Sequence, residues 1–379
     1  MSTVRDDVVR GRVRAGLRRV LQGGERAVDV VPSLLSGLVD DERRAIKNAV
    51  FGVAVQRLRL LRDRSALERA GLDDAELDEL AARLHSPDDG PWPDDDVERL
   101  VAQRSCPRWL VQRLVDGLGA VDADDFLRVS NRPGPRTLRA NTLVNDRDGL
   151  RRALQDEGIV VVDNARTPWA ADVVGRANLF GCRAFREGRF EVQDASSQAV
   201  VVAACVGVGD VVVDLCAGRG GKTLALAAAM RGEGTLWFDD VDEHALADLR
   251  GRLPRARVTC ALRGAPGDGT ADVVVVDAPC SSSGVLRRSP DLRYTLRPDD
   301  VSALAPVQRA LLARAAGLVR PGGRVVYATC SVLREENDDV VDDVLAAAPA
   351  LALRSRALLL PRDESDGDGF FIAVLERGS

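Results

Sequence analysis

Two cysteines stand where a thiol could act as a nucleophile. Cys280 lies in the string D-A-P-C-S-S-S-G and Cys330 in Y-A-T-C-S, and each string follows an apolar run that predicts a strand. A single cysteine near a strand end is usually a small apolar filler, but two on the same rim of a sheet favour function. Histidine occurs only at His85 and His244, which is too few for a multi-histidine metal site and disfavours a His-centred triad. No metal is therefore expected. A thiol that attacks an electron-poor ring carbon is the natural covalent mechanism for such a chain.

A glycine-rich loop, D-L-C-A-G-R-G-G-K-T (214–223), follows the first apolar run of the C-terminal region. It is not a P-loop, because Cys216 stands where that motif needs its first glycine, and Thr223 stands where a G-x-G-x-x-G motif needs its last. The second predicted strand ends at Asp239-Asp240, where an acid in a Rossmann-like fold binds ribose hydroxyls. These features favour S-adenosylmethionine over a dinucleotide, and tight packing of strand against helix is the alternative explanation of the glycines.

Lysine is nearly absent from the chain, which draws attention to the two that remain. Lys47 and Lys222 are the only lysines among 53 basic residues. A GC-rich genome that favours arginine codons explains the bias. Even so, a compact ammonium does chemistry that a planar guanidinium cannot, and Lys222 lies in the glycine-rich loop.

These candidate residues fall at the ends of strands in a regular alternation of strands and helices. From about residue 191 onward, apolar runs such as VVVDL (211–215) and VVVVD (273–277) alternate with helix-forming segments, and a P-G-G turn leads into RVVYAT. The alternation predicts an α/β fold with a parallel, doubly wound, Rossmann-like sheet. Ligands bind at the carboxyl ends of such strands, so we expect one site to form from the loops that begin at Cys216, Asp240, Asp277 and Thr329.

The region before this sheet is predicted to contain two further domains. Residues 1–95 are expected to be helical, with DERRAIKNAVFGVAVQRLRLL and DDAELDELAARL as helices and a Pro- and Asp-rich linker at 85–98. Residues 96–190 are expected to combine a helical linker with a small α+β subdomain that binds RNA, in which RTLRANTLV and IVVVD are strands. The catalytic domain then covers 191–379.

Composition limits the partners and the location. The 379 residues carry a formal net charge of −5, so any nucleic-acid site must be a local patch. No apolar stretch suits a membrane span or a signal peptide, and seven cysteines are sparse and odd in number for a disulfide framework. We therefore expect a cytoplasmic, monomeric protein. A solvated helix face or an RNA-contacting patch would explain the N-terminal arginines Arg5, Arg10, Arg12, Arg14, Arg18 and Arg19.

Several strings together closely resemble the Nol/Nop/Sun family of RNA cytosine-5 methyltransferases. They are DLCAGRGGKT, DVDEHAL, DAPCSSSGVLRRSPDLRY, PGGRVVYATCSVLREEN and the closing DGFF, with VQDASSQ and RANTL ahead of them. The resemblance covers about residues 125–379, and the ordered pair DAPCS and ATCS is its most specific part. The helical N-terminus before an RTLRANTL-type domain is similar to the bacterial 16S ribosomal RNA branch, whose N-terminal domain is NusB-like. The resemblance implies an S-adenosylmethionine-dependent enzyme that forms 5-methylcytosine in ribosomal RNA, with transfer RNA as the alternative substrate.

The resemblance also implies roles for the candidate residues. Cys330 would attack carbon 6 of the cytosine, and Cys280 would serve the later step that removes the carbon-5 proton and releases the enzyme. Asp277 would hydrogen-bond the cytosine ring, and Lys222 falls at the family's lysine position. The cofactor would be held by the loop and by the acids at two strand ends, namely Cys216, Ala217, Gly218, Arg219, Gly220, Gly221, Lys222, Asp240 and Asp277.

The chain departs from the family pattern in three places. Gly218-Arg219 replaces the usual Ala-Pro, VTCALRG (258–264) lacks the usual acid near the adenine, and the helical N-terminus is shorter than a complete NusB-like domain. A non-catalytic RNA-binding relative and a small-molecule methyltransferase are the alternative functions. Four arginines after the DAPCS string are candidates for phosphate contacts: Arg287, Arg288, Arg293 and Arg297.

Overall fold

The computed structural model describes residues 2–22, 24–60, 72–84 and 92–378. His85 and the first part of the predicted linker, residues 85–91, lie outside these ranges. The chain divides into two compact units, Met1–Pro133 with Leu286–Pro298 and Gly134–Val285 with Asp299–Ser379. The three-domain division expected from the sequence stays a prediction. Over the described ranges, no helix has the length and apolar composition needed to cross a membrane.

Helices with buried apolar faces form the first unit. The two helices predicted from periodicity are confirmed as Asp40–Leu60 and Asp74–Arg83. A capping box starts the second of them, because the Asp73 carboxylate accepts the Glu76 N–H at 2.9 Å and the Glu76 carboxylate accepts the Asp73 N–H at 2.8 Å. The remaining helices of this region are Ser2–Leu21, Ala27–Ser33, Asp96–Arg104, Arg108–Leu118 and Ala120–Ser130.

Most of the N-terminal arginines have partners inside this unit. Arg14 pairs with Asp74 at 2.9 Å and with Asp78 at 2.5 Å. Arg18 also pairs with Asp74, Arg19 pairs with Glu25, and Arg12 donates to main-chain carbonyls. The Arg5 side chain lies outside the described residues. These contacts favour a structural role for the arginine-rich face over the RNA-contacting patch.

The segment Leu286–Pro298, which follows the DAPCSSSG string, belongs to the helical unit. It includes a short helix, Leu292–Thr295. The Arg293 side chain is fully buried and donates to Asn131 Oδ1 at 2.5 Å and to the Ser130 carbonyl at 3.2 Å. The expectation that Arg293 contacts phosphates is therefore wrong, because its guanidinium fills the interior of this unit. Arg287 is also largely buried, at 8% exposed, whereas Arg288 is exposed.

The second unit begins with the predicted small α+β structure, which is confirmed. Its antiparallel sheet has the order β2-β3-β1-β4, formed by β1 (Thr137–Ala140), β2 (Val161–Asp163), β3 (Ala170–Val173) and β4 (Phe190–Val192). The helices Arg147–Gln155 and Arg183–Arg186 accompany it. β3 and β4 escaped prediction because strands of three or four residues carry too little periodic signal.

A seven-stranded sheet forms the rest of this unit, which confirms the predicted Rossmann-like class. The sheet has the order β10-β11-β9-β8-β5-β6-β7. Its strands are β5 (Val211–Asp214), β6 (Thr235–Phe238), β7 (Ala261–Arg263), β8 (Ala271–Asp277), β9 (Val319–Thr329), β10 (Leu351–Leu359) and β11 (Phe370–Arg377). The associated helices are Ala195–Ala204, Gly221–Ala229, Glu243–Arg252, Pro298–Leu318 and Asp338–Ala347.

The continuous apolar runs arise because helices cover both faces of this sheet. In β5, Val212 packs into one hydrophobic core and its neighbour Val213 into the other. In β8, Val273 and Val275 pack into the first of these cores, whereas Val274 and Val276 pack into the second. A strand covered on both faces needs apolar side chains at every position, so no alternation remains in the sequence.

Two features of the sheet differ from the sequence expectation. The last two strands, β10 and β11, run antiparallel to their neighbours, so the sheet is mixed at one edge. The predicted P-G-G turn at 321–323 is part of β9. There, Ala271 pairs with Val319 and Val273 pairs with Arg324, so the extra residues of β9 bulge out between two paired positions instead of ending the strand.

Candidate active site

The carboxyl ends of the central strands bring the predicted loops to one edge. β5, β8 and β9 are parallel neighbours, with Asp214 paired to Val275 and Asp277 paired to Ala328. The glycine-rich loop, the DAPCSSSG string and the ATCS string therefore begin side by side. This arrangement confirms the expectation that these strand ends share one rim.

The two cysteines predicted from the strand ends are in contact. Cys280 Sγ and Cys330 Sγ lie 3.4 Å apart, although the residues are 50 positions apart in the chain. Main-chain bonds align the two loops: the Gly284 N–H donates to the Cys330 carbonyl at 2.8 Å. A Cβ on Gly284 would lie 2.2 Å from the Gly369 carbonyl oxygen, so only glycine lets the loops approach this closely.

The surroundings make the two thiols chemically unequal. The pKa of Cys330 is lowered by the hydrogen bond from Cys280 and, to a smaller extent, by the Ser282 hydroxyl and the Lys222 charge, while burial and Asp277 oppose them. The pKa of Cys280 is raised well above its usual range by its hydrogen bond to Cys330, by burial and by the charges of Cys330 and Glu336. In the pair, Cys330 is therefore the more acidic thiol and Cys280 the less acidic one.

A nearly buried ion pair stands beside the thiols. Lys222 Nζ lies 2.6 Å from Asp277 Oδ2, with side chains 7% and 31% exposed. The ammonium also lies over the Phe370 ring, 5.1 Å from its centroid. Lys222 sits in the first turn of the helix Gly221–Ala229, and Asp277 is the last residue of β8. The lysine thus binds one carboxylate oxygen of Asp277, Oδ2. The Asp277 side chain is still partly exposed, so its carboxylate can also bind a ligand.

The glycine-rich loop makes a tight turn whose backbone borders open space. Gly220 has φ 84°, and a Cβ there would lie 2.1 Å from Leu249 Cδ1, so the turn needs glycine. A Cβ on Gly218 would meet no atom within 4 Å. Asp240 Oδ2 accepts the Gly218 N–H at 2.8 Å and its Oδ1 accepts the Asp242 N–H at 2.9 Å. The acid closes the loop, and its carboxylate oxygens retain lone pairs for a ribose, which fits the predicted cofactor.

Other predicted loop residues are placed in different surroundings. The Arg219 side chain is 78% exposed and lies 3.4 Å from Asp248. Burial raises the pKa of Cys216 to about 12, so this third thiol of the rim stays protonated. Within the described ranges, no cluster of three or more His, Cys, Asp or Glu side chains could hold a metal ion.

Asp214, at the end of β5, is a site residue that the sequence reasoning missed. Its side chain is fully buried, Oδ2 accepts the Thr223 hydroxyl at 2.7 Å, and among the described residues Oδ1 has no hydrogen-bond partner. Burial raises the pKa of Asp214 to about 7, against the opposing Thr223 hydrogen bond. Asp214 therefore places a buried carboxyl oxygen, without a hydrogen-bond partner in the part of the chain that the structure describes, directly before the glycine-rich loop. The one available signal was its position, directly before that loop.

Replacing Asp214 should change how stability depends on pH. A carboxyl whose pKa is raised on folding binds its proton more tightly in the folded state. Its stabilising contribution is present below the unfolded pKa near 4 and is lost as the pH rises through about 7. Between pH 5 and 8, the wild type should lose about 2–3 kcal/mol of unfolding free energy relative to Asp214→Asn. Urea unfolding at each pH measures this difference, with Asp248→Asn at an exposed site as the control. Parallel curves for wild type and Asp214→Asn would contradict it.

Glu336 is a second missed residue, and it holds the DAPCS loop from below. Its side chain is fully buried and accepts the Ser281 N–H at 2.7 Å, the Ser281 hydroxyl and the Gln308 amide at 3.1 Å. The same Gln308 amide donates to the Pro279 carbonyl at 2.9 Å. The sequence contained no sign of this role, because Glu336 stands in the acidic run EENDDVVDD, which predicts a solvated helix.

The fold and this site together define a Rossmann-like methyltransferase domain, and comparison with known proteins identifies the family. Residues 206–376 match the family model for the 16S rRNA methyltransferase RsmB/F, and residues 106–176 match the RsmF/B-like ferredoxin-like domain. The chain belongs to the RsmB/F methyltransferase family.

Two curated relatives illustrate the similarity. A probable ribosomal RNA small subunit methyltransferase B from Bacillus subtilis is 33% identical over 265 residues, which are 68% of this chain and 59% of that protein. The ribosomal RNA small subunit methyltransferase B from Salmonella enteritidis is 34% identical over 284 residues, 71% of this chain and 66% of that protein. The chain thus spans about three fifths to two thirds of the length of these relatives.

Solved structures share the fold. The crystal structure of PH0851 superposes with a TM-score of 0.81 at 25% identity, covering 97% of this chain and 99% of that one. The structure of NSun6 from Pyrococcus horikoshii with SFG has a TM-score of 0.65 at 19% identity and covers 72% of this chain and 98% of that one. The second likeness concerns the fold alone.

Proposed function

We propose that this protein transfers a methyl group from S-adenosylmethionine to carbon 5 of a cytosine in RNA, with 16S ribosomal RNA as the substrate. The observation that carries the proposal is the contact between the Cys280 and Cys330 thiols at 3.4 Å, beside the Lys222–Asp277 ion pair. The relatives named as ribosomal RNA small subunit methyltransferases support the choice of substrate. The cytoplasmic location and the monomeric state stay predictions.

In the first step, the Cys330 thiolate forms a bond to carbon 6 of the cytosine, and the electron pair of the 5,6 double bond moves toward carbon 5 and the ring. Carbon 6 is poor in electrons, so a thiolate is a suitable nucleophile for it. Asp277, whose carboxylate is held by Lys222 at 2.6 Å, would accept a hydrogen bond from the exocyclic amino group of the cytosine. Fixing the base in this way lowers the entropic cost of the attack.

The cofactor would be held by the loop from Cys216 to Lys222, with Asp240 on its ribose. S-adenosylmethionine, when bound, supplies an electrophilic methyl group on a sulfonium. The open space beside the Gly218 backbone and the carboxylate of Asp240 fit such a ligand. Carbon 5, made nucleophilic by the bond at carbon 6, would accept this methyl group as its bond to the sulfonium sulfur breaks.

In the last step, Cys280 would remove the carbon-5 proton, after which the bond between carbon 6 and Cys330 Sγ breaks and restores the aromatic ring. In the free protein, the Cys330 thiolate keeps the Cys280 proton in place, since its charge and hydrogen bond raise the pKa of Cys280. Once Cys330 is bonded to carbon, its charge and its hydrogen bond no longer raise the pKa of Cys280, so Cys280 would give up its proton more readily before it acts as the base. The same contact thus makes Cys330 react first and Cys280 second.

The cofactor site gives a direct binding prediction. Asp240→Ala should weaken S-adenosylmethionine binding by about 1–3 kcal/mol, because it removes a charged hydrogen-bond acceptor. Isothermal calorimetry measures the affinity, and Asp239→Ala is the matched control at the neighbouring carboxylate. Unchanged affinity in a folded Asp240→Ala protein would place the ribose acid at Asp239 or elsewhere.

Methyl transfer to defined RNAs tests the whole proposal. The protein is incubated with methyl-labelled S-adenosylmethionine and either 16S ribosomal RNA or transfer RNA, and the RNA is then digested to nucleosides. Label in 5-methylcytosine from 16S RNA is the expected result. Label from transfer RNA alone would favour the alternative substrate. Cofactor binding without transfer to any RNA would favour a non-catalytic relative.

A further inference from the structure

Ser282 differs from the two serines on either side of it. Ser281 donates to the buried carboxylate of Glu336, and Ser283 hydrogen-bonds Ser331 at 2.9 Å, so both are tied into the protein interior. Within the described part of the chain, the Ser282 hydroxyl has one hydrogen-bond partner, the Cys330 thiol, which donates to Ser282 Oγ at 3.4 Å. Of the three serines, only Ser282 has its hydroxyl against a rim thiol.

The backbone of Ser282 is in an unfavourable conformation. Its φ is 58°, in the left-handed region where a side chain is strained and glycine is not. The residue therefore keeps a Cβ and a hydroxyl at a position that glycine would occupy more easily. Since that hydroxyl meets the thiol of Cys330, the strained backbone keeps a polar group beside the proposed nucleophile.

The charges around Cys330 explain why a neutral donor is useful there. Cys280 and Lys222 favour the Cys330 thiolate, whereas the Asp277 carboxylate and burial oppose it. A second cation would pair with Asp277 and disturb its bond to Lys222. A hydroxyl offsets the repulsion from Asp277 without adding charge.

We propose that Ser282 is a further catalytic residue, whose hydroxyl accepts the hydrogen bond of the Cys330 thiol and, once that proton has left, rotates to donate to the thiolate, and so keeps the nucleophile ionised and oriented. This inference rests on the proposed function, in which Cys330 attacks the base. Lowering a thiol pKa by one unit raises its thiolate fraction about tenfold and lowers its intrinsic nucleophilicity about threefold. At a pH below the thiol pKa, the hydroxyl therefore gives a net gain of about threefold in rate for each unit by which it lowers that pKa.

The test measures the reactivity of Cys330 directly, without RNA. The full chain reacts with iodoacetamide between pH 5 and 10, and mass spectrometry follows alkylation of the tryptic peptide 325–334, which contains Cys330 and no other cysteine. The variants are Ser282→Gly, which removes the hydroxyl and the strain, and Ser282→Ala, which removes the hydroxyl alone. Arg257→Gly is the matched control, since exposed Arg257 has φ 59° and no part in the rim.

Both Ser282 variants should shift the inflection of the alkylation profile upward by about one pH unit. Their alkylation should be about threefold slower at pH 7 and about threefold faster once the thiol is fully ionised, and Arg257→Gly should match the wild type. Methyl transfer at pH 7 should slow through kcat with little change in KM. An unshifted inflection in both variants overturns the inference and leaves the proposed function standing. A shifted inflection with unchanged methyl transfer overturns Cys330 as the nucleophile, and the proposed function with it.

Discussion

Cys330→Ala should abolish methyl transfer without trapping RNA, whereas Cys280→Ala should accumulate a covalent complex between protein and RNA. Without the Cys330 thiol no bond to carbon 6 forms, and loss of the nucleophile should lower the rate by at least about a thousandfold. Without Cys280 the attack and the methyl transfer can proceed, but the carbon-5 proton has no base. Blocking the second of two steps lets the intermediate build up.

Denaturing electrophoresis with labelled RNA separates the two outcomes. A shifted protein band that carries RNA is expected for Cys280→Ala and not for Cys330→Ala. Cys205→Ala is the control, because Cys205 is an exposed thiol on another surface and should behave like the wild type. Trapping by Cys330→Ala alone would reverse the two roles. If both variants still methylate and neither traps RNA, the thiol mechanism is wrong.

Glu336→Ala should destabilise the second unit by about 3–5 kcal/mol and also inactivate the protein. The carboxylate accepts two hydrogen bonds from Ser281 and one from Gln308, and all three donors are buried. Each donor left without a partner costs about 1–3 kcal/mol, so the three together give an effect of this size. The DAPCS loop, which carries Cys280, loses its support from below.

Urea unfolding at pH 7 measures the loss, and alkylation of the site cysteines reports on the loop. Glu335→Ala is the matched control, because the neighbouring carboxylate is less buried. Glu336→Gln keeps one acceptor oxygen and should fall between wild type and Glu336→Ala. A change of less than about 1 kcal/mol for Glu336→Ala would mean that water or neighbouring groups replace its hydrogen bonds.

Local patterns in the sequence were sufficient for much of the fold. The runs VVVDL and VVVVD predicted β5 and β8, because a strand covered on both faces is apolar throughout. Helical periodicity predicted Asp40–Leu60 and Asp74–Arg83. Short strands such as β4 were missed, and the P-G-G turn was not recognised as a bulge within one continuous strand, β9. In both cases pairing with a distant strand decides the structure, and such pairing leaves little mark on the local sequence.

The sequence by itself determined which residues belong to the rim, because parallel strands in a doubly wound sheet end on the same edge. Cys280, Cys330, Asp277 and Lys222 were predicted in this way. Only the tertiary structure decided the acidity and the hydrogen-bond partners of each of these side chains. Residues 50 positions apart had to meet at 3.4 Å before one thiol could become acidic at the expense of the other. The supports from Glu336 and Ser282 likewise come from folding, since a pKa and a buried hydrogen bond depend on neighbours that the chain brings together only in three dimensions.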